Sequence, residues 1–172
     1  DTSSQYDHVA YEFCTDKEFD PELCTWNEGE KLGQVLLAGD SMAYAAADGV
    51  IEAARMLGMS TVVSSLSGCG LLSLDTTGAK PYDCPTRQRE IIDFALKTKP
   101  DAVLIANLSS GYVNPGWRNV IPENAGPIHI SSISSLYEEG LSGVVKELYE
   151  EEIPVIIVQN IPQPDLVQAP PS

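Results

Sequence analysis

The fold of this chain is decided by the stretch Val35-Leu36-Leu37-Ala38-Gly39-Asp40-Ser41-Met42-Ala43. Its opening run of four apolar residues is too short for a helix and predicts a strand buried on both faces of a sheet. Gly39 then permits a turn that residues with a Cβ resist. The residues from Met42 to Leu57 are rich in alanine and have apolar positions at helical spacing. We therefore expect Ser41 at the carboxyl end of a strand and the amino end of a helix, where open α/β sheets bind ligands.

The rest of the chain continues this alternation of strand and helix. Short apolar or β-branched runs predict strands at 35–38, 60–66, 102–106 and 153–158, and amphipathic runs predict helices at 42–57, 85–99 and 131–152. Crossovers of helical length predict a parallel sheet covered on both sides. The expected fold class is α/β, a three-layer αβα sandwich with a doubly wound parallel sheet. Residues 1–33 show little periodicity and are interpreted as an irregular leader tied by a disulfide, before one α/β domain at 34–172.

Charge and hydropathy exclude several classes of partner. The formal net charge of −15 argues against nucleic acid or anionic lipid. No apolar run approaches the length of a transmembrane helix. The polar first residues lack the regions of a signal peptide, so we expect any export signal or membrane anchor to lie outside this sequence.

The four cysteines form two couples that are close in sequence, Cys14 with Cys24 and Cys69 with Cys84. An even count at short intervals predicts two disulfides and an oxidising compartment, with four reduced cysteines in the cytosol as the alternative. Three connectivities are possible, and we favour the local one because each couple would close a polar, turn-rich loop. The cysteine spacing and the two histidines do not suit a zinc site, and no metal or other cofactor is expected.

Residues that could take part in catalysis follow three successive predicted strands. Ser41 follows the first strand, Gly68 the second and Asn107 the third. In a parallel sheet these ends lie along one edge. The Ser41 hydroxyl could act as a nucleophile, and the N–H groups of Ser41 and Gly68 with the Asn107 amide could form an oxyanion hole. The alternative roles are structural: a helix N-cap for Ser41, a turn for Gly68 and a loop cap for Asn107.

These residues carry a family resemblance. Gly39-Asp40-Ser41, Ser67-Gly68 and Asn107 resemble blocks I, II and III of the SGNH (GDSL-like) esterase and acyltransferase superfamily. With a cysteine loop at 69–84 and the segment 106–112, the chain most resembles, from about Gln34 to Pro164, the extracytoplasmic SGNH domain fused to membrane acyltransferase-3 proteins. The resemblance implies a serine O-acyltransferase or esterase, with Ser41 as nucleophile.

The resemblance also implies a biological setting. The expected reaction is O-acyl transfer, usually of acetyl, to a cell-surface polysaccharide or glycolipid through an acyl-serine intermediate. The acyl group would be delivered by a membrane acyltransferase domain. We therefore expect an extracytoplasmic chain in the cell envelope, tethered to a membrane domain outside this sequence.

The chain departs from the family pattern in two places. Met42 replaces the usual histidine of block I, which is not the catalytic one. The larger departure is block V, the Asp-x-x-His that supplies the base, because no such motif occurs here. We therefore expect a domain that lacks its C-terminal part and that has little activity as residues 1–172 alone. His129 is the first candidate if a base exists within the chain.

Other interpretations remain open. The chain could be a degenerate, non-catalytic SGNH-like module that binds a glycan or a membrane partner. A generic flavodoxin-like binding domain is a more distant alternative, since no G-x-G-x-x-G loop is present. Tyr112 and Trp117 could line a sugar cleft or anchor loops on the core. Asp40 is expected to fix the turn by accepting hydrogen bonds from nearby N–H groups.

Overall fold

A five-stranded sheet organises the chain. The structure is a computed structural model and describes residues 14, 19–27, 32–73, 83–112 and 130–159. The strands are β1 (Thr25–Trp26), β2 (Gln34–Gly39), β3 (Ser60–Ser65), β4 (Ala102–Ala106) and β5 (Val155–Ile157). Their order across the sheet is β1-β3-β2-β4-β5. The pairs β3-β2, β2-β4 and β4-β5 are parallel, which confirms the predicted α/β class.

The first strand was not predicted. Thr25 and Trp26 pair antiparallel with β3, so the sheet is mixed at this edge. They belong to the segment 1–33, for which the sequence predicts no regular element. A strand of two residues is too short to show any alternation of apolar and polar side chains.

Helices cover the sheet between the strands. They are α1 (Ser41–Met56), α2 (Cys84–Thr98), α3 (Ser109–Tyr112) and α4 (Ile130–Glu150). The short α3 was not predicted, whereas the other three helices and the strands β2 to β5 agree with the predicted bounds to within two residues. Within the ranges that the structure describes, no helix is long and apolar enough to cross a membrane.

The strands β2, β3 and β4 are largely buried on both faces, as their apolar sequences predict, whereas Ile156 and Ile157 of the edge strand β5 are exposed. One core lies between the sheet and the helices α2 and α4, and the other between the sheet and α1. The first contains Leu36, Ala38, Val62, Leu71, Ile91, Ile92, Ala95, Val103, Ile105, Val144, Leu148 and Ile153. The second contains Leu37, Ala43, Ala47, Ile51, Val63 and Ala106. Neighbouring residues of one strand therefore place their side chains in opposite cores, which confirms the three-layer arrangement.

Two disulfides have the local connectivity favoured from the sequence. Cys14 bonds to Cys24, whose carbonyl oxygen also accepts a hydrogen bond of 2.9 Å from the N–H of Val63. Cys69 bonds to Cys84 and so joins the loop after β3 to the first residue of α2. The first disulfide secures the segment that carries β1, and the second fixes a loop beside the carboxyl ends of the strands.

Candidate active site

The carboxyl ends of three strands lie level with one another. Gly39, the last residue of β2, pairs with Ser65 at the end of β3 and with Ala106 at the end of β4. The segments that follow contain Ser41, Gly68 and Asn107, so the sheet carries all three predicted residues to one edge. This register is what a composite site built from three loops requires.

Gly39 makes the turn at the end of β2 possible. Its φ of +152° lies in a region that side-chain-bearing residues rarely adopt. A Cβ at this position would also collide with the carbonyl oxygen of Ala106 on the adjacent strand. Both the conformation and the close strand approach therefore require glycine before Asp40 and Ser41.

Asp40 fixes the geometry of the turn. Its side chain is 2% exposed, and its Oδ1 accepts a hydrogen bond of 2.8 Å from the N–H of Met42, which makes Asp40 the N-cap of α1. Its Oδ2 accepts another bond of 2.8 Å from the N–H of Leu108. The turn-fixing role predicted for Asp40 is confirmed, and the second bond joins the β2–α1 turn to the loop after β4.

Ser41 is the first residue of α1 and is exposed. The interpretation of Ser41 as the N-cap is wrong, because Asp40 occupies that position and supplies the capping oxygen. Ser41 therefore stands at the amino end of a helix of 16 residues, where the helix dipole favours developing negative charge. Its role as the nucleophile stays a prediction.

Gly68 lies in a tight turn after β3. The turn is closed by a hydrogen bond of 2.9 Å from the N–H of Cys69 to the carbonyl oxygen of Leu66. Gly68 has a φ of +73°, which favours glycine, and it is only partly buried. The N–H of Leu66 donates to the Gly39 carbonyl oxygen at 3.1 Å, so the turn begins against the end of β2.

Asn107 is 4% exposed and connects three parts of the chain. Its Oδ1 accepts a hydrogen bond of 3.0 Å from the N–H of Leu71, and its Nδ2 donates to the Leu71 carbonyl oxygen at 3.3 Å. The carboxamide also hydrogen-bonds to the hydroxyl of Tyr137 on α4. The sequence suggested either an oxyanion donor or a loop cap, and these contacts describe a cross-link between loops. A donor role for Asn107 stays a prediction.

Two stacked tyrosines pack beside Asn107. The rings of Tyr112 and Tyr137 are 5.6 Å apart between centroids and nearly parallel, at 11°. Burial raises the pKa of Tyr112, as does the negative charge of the nearby Asp40. Burial likewise raises the pKa of Tyr137, although the hydrogen bond from Asn107 opposes this shift. Tyr112 is 3% exposed, so of its two predicted roles the structure favours the loop anchor.

A cavity of about 70 Å³ opens beside Asn107, between the β4–β5 edge and α4. It is lined by Ile105, Asn107, Ser109, Tyr137, Leu141, Ile157, Val158 and Gln159. It could not be predicted from the sequence, because its walls come from three segments that are distant along the chain. Across the described ranges, no group of three or more histidine, cysteine or acidic side chains could hold a metal ion. Trp117 and His129 lie outside the described residues, as does the other histidine of the chain, His8.

A family model described as "SGNH domain (fused to AT3 domains)" matches residues 9–171. The chain belongs to this SGNH family. This match confirms the resemblance drawn from blocks I to III. It also includes most of the segment 1–33, which the sequence analysis interprets as an irregular leader.

A solved structure supports the fold of this SGNH domain. The chain is similar to the periplasmic domain of the lipopolysaccharide acetyltransferase of Salmonella ser. Paratyphi A, with a TM-score of 0.56 and 16% sequence identity. The similarity covers 90% of this chain and 58% of that chain. No curated protein sequence matches the chain significantly.

Several residues of the site were not found from the sequence. The sequence predicts only a loop around Leu71 and amphipathic helices around Gln88 and Tyr137. Gln88 is 4% exposed, and its Nε2 donates to the Gly70 carbonyl oxygen at 2.7 Å. A buried glutamine inside an amphipathic helix was the available signal, since such an amide needs hydrogen-bond partners.

Proposed function

We propose that this chain is the extracytoplasmic part of an O-acyltransferase that acetylates a cell-surface polysaccharide or glycolipid. A membrane acyltransferase domain would supply the acyl group. Membership of a family described as fused to such domains supports the proposal, as does the fold shared with a lipopolysaccharide acetyltransferase domain. The two disulfides suit an oxidising compartment.

The proposed reaction passes through an acyl-Ser41 intermediate. The Ser41 Oγ attacks the carbonyl carbon of the donor, its proton leaves to a base, and the donor's leaving group departs with a proton. A hydroxyl of the glycan then attacks the acyl-serine, the bond from carbon to Oγ breaks, and Ser41 regains its proton. In both steps the oxyanion would be held by the N–H groups of Ser41 and Gly68 and the amide of Asn107.

The observation that carries this proposal is the pairing of Gly39 with Ser65 and with Ala106 at the ends of three adjacent strands. This pairing brings the three loops that follow to one edge of the sheet. Ser41 is exposed there at a helix amino end, while capping is done by Asp40. A serine hydroxyl needs a general base to attack at neutral pH. The base is proposed to come from an Asp-x-x-His motif elsewhere in the intact protein, so residues 1–172 alone should turn over little acetyl ester.

A second candidate is a non-catalytic SGNH module that binds a glycan or a membrane partner. The observation in its favour is the engagement of the Asn107 carboxamide with Leu71 and Tyr137. An oxyanion donor must direct an N–H at the reacting oxygen, whereas these contacts direct the carboxamide into the protein.

The test uses the intact polypeptide with its membrane partner. A fluorophosphonate should label Ser41, as located by mass spectrometry, and Ser41→Ala should abolish both labelling and O-acetylation of the surface glycan. Ser142→Ala is the control, because Ser142 is an exposed serine of α4 outside the site. Unlabelled Ser41 together with normal O-acetylation in Ser41→Ala would reject the enzyme proposal and favour the binding module.

A further inference from the structure

Helix α2 holds two consecutive residues of the loop after β3. We call residues 67–73 the block II loop. Cys84 on α2 is bonded covalently to Cys69 of this loop, and Gln88 donates from Nε2 to the Gly70 carbonyl oxygen at 2.7 Å. Cys84 and Gln88 are four residues apart and share one face of the helix, one turn from each other. One covalent bond and one hydrogen bond therefore attach the loop to the same face of α2.

The two attachments restrain different degrees of freedom. A disulfide fixes the separation of two side chains, and the Cα atoms of Cys69 and Cys84 are 5.3 Å apart. It leaves the peptide planes of the loop free to rotate. The bond from Gln88 to the Gly70 carbonyl oxygen fixes the orientation of a peptide two residues after Gly68. Because Gln88 is 4% exposed and this hydrogen bond is buried, water competes little for it, and losing it would leave a buried polar group unpaired.

The position of Gly70 also bears on Asn107. A Cβ at Gly70 would lie 3.0 Å from Cγ of Asn107 and 3.0 Å from the hydroxyl oxygen of Tyr112, so the backbone packs directly on both side chains. The next residue, Leu71, exchanges two hydrogen bonds with the Asn107 carboxamide. A displaced Gly70 must therefore move either the Gly68 turn on one side or the Asn107 carboxamide on the other.

We propose that Gln88 is a positioning residue, which sets the orientation of the block II loop and, through it, of the oxyanion donors at Gly68 and Asn107. The proposal rests on the function proposed above, since it assumes that these groups stabilise an oxyanion. Gln88 does not touch the substrate. It acts through the Gly70 peptide, and its contribution should therefore appear in the chemical step rather than in substrate binding.

The test compares three variants of the intact protein. Gln88→Met keeps the length and removes the donor, and Gln88→Glu restores a donor only when its carboxyl is protonated. The control, Ile91→Val, removes one methyl group from the buried face of the same helix but leaves the Gln88 amide and its hydrogen bond in place. We expect Gln88→Met to lower kcat for acetyl transfer about tenfold with little change in KM, since losing a whole oxyanion donor costs about 10²–10³ in rate. Ile91→Val should retain the parent kcat.

The pH profile distinguishes positioning from packing. Burial raises the pKa of a carboxyl group, so Glu at position 88 should regain its proton as the pH falls. The kcat of Gln88→Glu relative to the parent should therefore rise toward acid pH, whereas that of Gln88→Met should stay constant. An equal and pH-independent loss in both variants would overturn the positioning role.

Amide hydrogen exchange gives a readout that does not depend on activity. Exchange across 68–72 should be faster in Gln88→Met than in Ile91→Val, and unchanged exchange would overturn the proposal. Faster exchange with an unchanged kcat, in an enzyme that Ser41→Ala inactivates, would also overturn it. If Ser41→Ala has no effect, the proposed function fails and the positioning role with it, while exchange alone then decides whether Gln88 clamps the loop.

Discussion

Replacing Asp40 with asparagine should destabilise the protein through the loss of one specific hydrogen bond. The two carboxylate oxygens accept from the N–H groups of Met42 and Leu108, both at 2.8 Å. An asparagine keeps one accepting oxygen and turns an NH₂ group toward the other N–H. A hydrogen bond to a charged group contributes about 1.5–3 kcal/mol. We expect Asp40→Asn to lower the free energy of unfolding by about this amount, equivalent to roughly 3–12 °C in Tm for a chain of this size.

The matched control is Asp83→Asn. Asp83 is the N-cap of α2 and accepts from the N–H and hydroxyl of Thr86, at 3.2 and 2.8 Å, in an exposed position. Asparagine and aspartate cap helices about equally well, so this variant should change Tm little. Thermal unfolding followed by far-UV circular dichroism, with the disulfides intact, measures both. Equal Tm changes in the two variants would refute the conclusion that Asp40 links the β2–α1 turn to the loop after β4.

Two further predictions concern glycine and tyrosine residues. Gly39→Ala should prevent folding, because of the backbone conformation at this position and the collision of a Cβ with the neighbouring strand. Gly49→Ala in α1, where a Cβ would meet open space, should raise the free energy of unfolding by about 0.5–1 kcal/mol. Soluble yield and Tm test both predictions, and a normally folded Gly39→Ala would contradict the turn geometry. Since burial raises the folded-state pKa of Tyr112 and Tyr137, their stabilising contribution is complete below the unfolded pKa of about 10 and declines above it, by about 1.4 kcal/mol per pH unit for each. Tyr137→Phe should reduce this alkaline slope in urea titrations, whereas Ser142→Ala, at an exposed position of the same helix, should not. Equal slopes in the two variants would contradict the assignment.

The parallel sheet could be predicted because its strands have strong local signals. The run 35–38 is apolar throughout, and the helices that follow each strand show regular spacing, so the class and the order of elements follow from the sequence. The same order placed Ser41, Gly68 and Asn107 at one edge. That inference needed only the rule that parallel strands end on the same side.

The supporting contacts could not be predicted, because they join residues that are distant in sequence. Asp40 and Leu108 are separated by 68 positions, and Asn107 and Leu71 by 36. Side-chain type alone does not specify such partners. Asp40 rather than Ser41 caps α1 for a similar reason, since both residues are good N-caps and the strand's end decides which occupies the position.

The disulfide between Cys69 and Cys84 makes assembly of the candidate site depend on the redox conditions around the chain. In a newly made chain whose thiols are still reduced, this covalent bond between α2 and the block II loop does not exist. The arrangement beside Ser41 is therefore complete only after oxidation. A protein built in this way completes its folding where its thiols are oxidised, and the proposed acyl transfer would require this oxidation first.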